Sequence, residues 1–334
     1  MTALYHGVAT VEDTTDRAMT TLYHQWYNAV VDGLRLDAST FQLLQPSTPL
    51  NGSIEQLWTY FNTIPPHSLV SNMQLNGLHR FYDEYRAVVS SLISHPGDPI
   101  SMAQQSLNYQ FGFVHGVPNF GATLQELRDG LVHAPSRSFA FNSATQNADT
   151  SNTWAKDAVG GIWNFFEAGA TGAWAAIQEK AAAGQVVVSL SFDHVLCYAA
   201  TPASWDNLAA LAAAYAIRDE RMWPGVPNWN TVFGPTGTLQ RLLTDLVVVD
   251  GINMSMTSAA DYDLTEQEMI HAQAKVGFFP FYCPNTPNGF TSSISFDTRG
   301  TMTVTAASPI GHPLVLGAVA TPTSTLLQGH MTHR

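Results

Sequence analysis

Val186–Tyr198, VVVSLSFDHVLCY, is the stretch on which the fold turns. Taken two by two, Val186, Val188, Leu190, Phe192, His194, Leu196 and Tyr198 share one face. Val187, Ser189, Ser191, Asp193, Val195 and Cys197 share the other. Alternation of this length marks a β-strand with one apolar face and one hydroxyl-rich face. The same period returns downstream, where Ile252, Met254 and Met256 alternate with Asn253, Ser255 and Thr257. Ser292–Phe296 and Thr301–Thr305 flank Asp297-Thr-Arg-Gly300, an aspartate- and glycine-bracketed turn that predicts a hairpin. Leu314–Ala320 supplies a last strand. The expectation is an antiparallel sheet of about four or five strands, Ser/Thr-rich on one face and packed on helices by the other.

Upstream of the first strand the period changes to helical. Met19, Leu22, Trp26, Val30 and Leu34 form one apolar stripe. Ser53 with Gln56, and Thr123 with Glu126, have capping-box spacing, and Leu75, Leu78, Tyr82, Tyr85, Val89 and Leu92 make another stripe. Residues 1–134 therefore read as a helical domain, 135–153 as a polar linker or long loop, and 154–334 as an α+β domain. The overall class is α+β with a helical N-terminal part. Further helices are expected over Ala203–Glu220 with Ser204 as cap, over Thr238–Thr244, and from Thr265, capped with Glu268, to about Lys275. The segment Trp154–Gln185 mixes Trp163, Phe165, Phe166 and Trp174 with glycines and alanines, which reads as a closely packed helix against the sheet, with a membrane-inserting element that changes conformation as the alternative.

Composition bounds function. Charged residues make up 12% of the chain, there are only three lysines, and the net charge is −12. Phosphate binding needs clustered Lys and Arg, so nucleic acid is not an expected partner. A surface of short uncharged side chains loses little entropy on burial and is desolvated cheaply, which suits a chain covered in an assembly. The N-terminus, MTALYHGVATVEDTTDR, has neither a basic nor an apolar leader region, which gives a cytoplasmic expectation, with non-classical release as the other route. Cys197 and Cys283 are too few for a disulfide framework and read as buried small apolar residues.

No Walker loop, G-x-G-x-x-G, H-E-x-x-H, G-x-S-x-G or paired C-x-x-C occurs, and no cofactor is expected. The candidates for acid–base work are His115, in the glycine-bounded loop Gly112–Gly116, with His194 and His271. Glu268 and His271 have the E-x-x-H spacing of carboxylate-bridged metal sites, but no second copy of the motif accompanies them. Asp193 and His194 are strand neighbours, point to opposite faces and cannot orient each other. Trp163, Trp174, Trp223 and Trp229 are the candidate interaction residues. The expected function is a non-enzymatic assembly or interaction protein, a homo-oligomer, with pore-former-like membrane engagement as an extension of that reading. The alternative is an enzyme or small-molecule-binding protein, its ligand unspecified, with an aromatic- and histidine-lined pocket between helices and sheet.

Overall fold

The computed structural model describes residues 4–50, 52–71, 80–109, 113–114, 116–155, 159–160, 164–167, 172–217, 223, 227–272, 277–283, 285–286 and 289–331. The first third holds α1 (Leu4–Leu34), β1 (Phe41–Pro49), α2 (Ile54–Phe61), β2 (Val70–Ser71), α3 (Phe81–Ser91) and α4 (Pro99–Tyr109). The middle holds a small hairpin, β3 (Phe113–Val114) and β4 (Val117–Pro118), then α5 (Leu124–His133), β5 (Arg137–Asn142), β6 (Val159–Gly160), α6 (Ala173–Ala183) and β7 (Val186–Ala199). After them come α7 (Leu208–Ala216), α8 (Trp229–Phe233) and β8 (Arg241–Asp261). The chain continues with α9 (Leu264–Ala272), β9 (Thr291–Phe296), β10 (Thr301–Ser308), β11 (Leu314–Pro322) and α10 (Thr323–Met331). The fold is α+β, with helices along the whole chain and not only in its N-terminal part. The main sheet has nine strands among the described residues, where about four or five were expected.

The additional strands are those that lack a long alternating pattern. β1, FQLLQPSTP, is buried on both faces and carries two prolines, so neither its period nor its composition marks it. Its Gln42 is buried by hydrogen bonding, the side-chain amide donating to the carbonyls of Pro66 and Ser68. β5 lies inside the polar segment 135–153 and shows only a short alternation, with Phe141 buried and Ser138 and Ala140 exposed.

The strand order is β5-β7-β8-β11-β1-β2-β6, with β10 and then β9 branching from β8. Pairing is antiparallel except for the short β1–β2 and β2–β6 contacts. β8 explains the branching. Its 21 residues pair with β7 along one edge, while the other edge takes β11 over Arg241–Val249 and β10 over Ile252–Asp261. The sheet therefore forks at Asp250–Gly251.

Two apolar cores lie against it. The first joins α1 and α6 to the sheet, with Trp26 within 5.8 Å, ring centre to ring centre, of Phe139, Phe141 and Phe279. The second draws on α2, α3, α4, α5, α7 and α8. The alternation of β7 changes phase between them. Val186, Val188, Leu190 and Phe192 belong to the first core, but beyond Asp193 it is Val195 that joins it, while Leu196 and Tyr198 join the second. β8 shifts in step: Ile252, Met254 and Met256, then Val249 and Val247, face the first core, and Val248 and Leu246 face the second. Gly251 makes the shift, at φ +66° and against Asp193, whose carboxylate would lie 2.2 Å from a Cβ.

Several boundaries differ from the sequence reading. Thr238–Thr244 is not a helix, because β8 begins at Arg241. α7 is capped by Asn207 and not by Ser204, its side-chain oxygen accepting from the Ala210 amide at 3.1 Å. α9 is capped two residues earlier than expected, by Asp263 with Glu266. Ser53 caps α2, and Thr123 and Glu126 form the full reciprocal box on α5. Leu75 and Leu78 lie outside the described residues. Among the described residues no helix is long and apolar enough to cross a membrane.

Candidate functional site

On the branch formed by β5, β7, β8, β10 and β9, only the first core covers the sheet; the opposite side faces solvent. Strand pairing aligns its outward side chains into three transverse rows. One runs Ser138, Ser191, Asn253, Ala307, Thr291, and the next runs Ala140, Ser189, Ser255, Thr305, Ser293. The third is Asn142, Val187, Thr257, Thr303, Ser295. Directly opposed residues of an antiparallel pair point the same way, so the rows share one face. Every member is exposed or half-exposed, and none carries a charge. Asp193 stands at the end of the array, beside Gly251.

The local sequence explains why this face is regular. Alternating hydroxyl-bearing and β-branched residues suit a pleated surface, and the side chains are short enough to stay on their own strand positions. Ser293 and Thr305 hydroxyls pair across strands at 2.7 Å, and Thr291 donates to the Ala307 carbonyl. The hairpin that ends the array is set by Asp297, whose carboxylate accepts from the Arg299 and Thr301 amides, with Gly300 at φ +83°.

The residues singled out from sequence are not brought together. His194 is half-buried at the fork, where its Nδ1–H donates to the Ala134 carbonyl at 3.1 Å. It is the register partner of Asp250, whose carboxylate accepts from the amides of Gly311 and His312, and among the described residues no hydrogen bond joins the two side chains. His271 and Glu268 are exposed on α9, with the His271 ring edge-on to Phe296 at 5.2 Å. No cluster of three metal-ligating side chains exists among the described residues. His115 and Trp163 lie outside the described residues.

Trp174 is half-buried against Phe166, and Trp223 is buried with its Nε1–H donating to the Ile217 carbonyl. Trp229 is half-buried between Tyr215 and Phe233, so Trp223 and Trp229 both pack into the second core. Cys197 is exposed on β7 and not buried as expected of a small apolar side chain, in keeping with its alternation with Leu196 and Tyr198; Cys283 is buried, and both thiols are free.

The fork holds a cavity of about 720 Å³ between α5, the end of β1 and the β10–β11 connection. His194 was the only one of its lining residues among the sequence candidates. Asp250-Gly251 within the apolar run Leu246–Met256 was the available signal, since a glycine inside a strand pattern marks an irregularity. No family model, curated protein or solved structure matches the chain.

Proposed function

We propose that the protein self-associates as a non-enzymatic assembly protein, and that the open five-strand face is the surface through which copies meet. The observation that carries this reading is the uncharged three-row array. Copies with a net charge of −12 repel one another wherever charged surfaces approach. A face without charge is where two copies can come together with no ion to desolvate. Ser, Thr and Ala also lose little side-chain entropy on burial, which lowers the cost of association. Hydroxyl and amide groups suit a protein partner better than hydrocarbon, where exposed polar groups go unsatisfied. This favours a second copy over a lipid surface.

Native mass spectrometry over a range of concentrations tests the reading. A defined integer multiple of the chain mass is expected, with no additional protein. A monomer throughout contradicts it. Leakage of zwitterionic vesicles without oligomer formation contradicts it in favour of membrane engagement. A second role, binding of a small molecule, is favoured by the fork cavity and is compatible with the first.

A further inference from the structure

Resting on that second, small-molecule reading and independent of self-association, we infer that the fork cavity is a binding site for an amphipathic carboxylate, an apolar chain or ring carrying a single anionic head. The cavity arises from the fork itself. Where β8 exchanges β11 for β10, the connection through residues 309–313 crosses the gap. The Asp250 carboxylate pins it by accepting from the amides of Gly311, at 2.8 and 3.1 Å, and His312, at 3.1 Å. α5 lies close on the other side, with Gly130 against Leu196.

α5 presents Leu124, Leu127, Arg128 and Leu131 to the cavity, the i, i+3, i+4, i+7 set of one helix face. Phe290 and Leu314 meet them from the sheet side, both buried. At the rim Val132 and Ile310 remain 69% and 61% exposed, large apolar side chains turned to water at the mouth of an apolar cavity. At about 720 Å³ the space falls within the range of small-molecule pockets, about 300–1,000 Å³.

Two polar features select the head group. Arg128 sits on the cavity face of α5 at the exposed mouth, and no carboxylate pairs with it among the described residues. A guanidinium there offers a fork of donors that matches a carboxylate. Asp250, the acid of the lining, is already engaged by two backbone amides and held against the sheet. Deeper in the cavity wall, His194 uses Nδ1–H on Ala134, which leaves Nε2 without a partner among the described residues. The head is thereby placed at the mouth and the apolar body inside.

The test is calorimetric titration of the full chain with decanoate and, separately, with decanol. Arg128→Gln and Ile310→Glu lie at exposed positions, and circular dichroism checks that both variants fold. Saturable one-to-one binding of decanoate is expected, weakened about tenfold or more by Arg128→Gln, as removal of a charge-assisted pair implies. Ile310→Glu, which places a like charge at the rim, is expected to weaken decanoate as well. Decanol should bind more weakly and be indifferent to Arg128→Gln. Three results overturn the inference: no saturable decanoate binding, decanoate binding unchanged in both variants, or decanol bound as tightly as decanoate. Loss of self-association in native mass spectrometry leaves this titration unaffected, so the two readings fail separately.

Discussion

At Gly251 a methyl group has no room: the backbone has φ +66°, and Asp193 occupies the place of a Cβ. Gly251→Ala is expected to lower stability by roughly 1–3 kcal/mol in urea denaturation, and the Asp193→Ala background should recover part of that loss by vacating the space. Asp206 makes a different kind of prediction. Both its carboxyl oxygens are buried without a well-formed hydrogen bond, and burial pushes the group up to about 7 against the opposing pull of Tyr85 and the Asn207 amide. A folded-state value above the unfolded one means that the native chain binds the proton more tightly. Its contribution is present below about pH 4 and is lost as pH rises towards 7, a decline of at most roughly 4 kcal/mol. Denaturation at pH 4.5 and 7.5 should show that Asp206→Asn, neutral at both, removes this part of the decline. The cysteines separate by exposure: Cys283 is buried, donates to the Ser47 carbonyl at 3.2 Å and is pushed up to about 12 by burial. Under native conditions a maleimide should label Cys197 alone, and Cys283 only on unfolding. Nothing in the sequence around Asp206 or Gly251 marks their surroundings, which are set by residues far along the chain, Tyr85 for the first and Asp193 for the second.

Among the elements, α1 is held to the sheet chiefly by Trp26, whose ring meets Phe139, Phe141 and Phe279. Trp26→Ala is expected to cost roughly 3–5 kcal/mol, measured by the denaturation midpoint at unchanged slope. Thr123→Ala, which opens the reciprocal cap of α5, should cost about 1 kcal/mol. Both elements were legible: the α1 stripe and the Thr123–Glu126 spacing follow local rules that tertiary structure left intact. The β9–β10 hairpin was legible for the same reason, since Asp297 and Gly300 act within their own turn. β1 was not, because a strand buried on both faces has no polar side to mark its period. Nor was the start of β8, where Leu242, Leu243 and Leu246 fit a helical spacing as well as a two-faced strand. His194 shows how the fork misleads a sequence reading: strict alternation places it with Phe192, but the shift at Asp193 moves it beside the cavity.

For the whole molecule, the sheet has two regions with different surroundings. On the branch that runs β8-β11-β1, helices cover both sides; on the branch that runs β8-β10-β9, one side is open, small and uncharged. The hydroxyl-rich face could be read from the strand pattern. Its width, five strands, could not, because β5 is a short strand inside a polar segment and nothing local marks its pairing with β7. The self-association reading is tested most directly by placing charge at the centre of that face. Sedimentation equilibrium would compare the native chain with the Ser255→Glu/Thr305→Glu variant, whose substitutions face each other across β8 and β10. Thr265→Glu, exposed on α9, controls for added charge elsewhere. The native chain and the α9 variant are predicted to be oligomeric, and the face variant monomeric with unchanged circular dichroism. A face variant that remains as oligomeric as the native chain, or a native chain that is monomeric, would contradict the account.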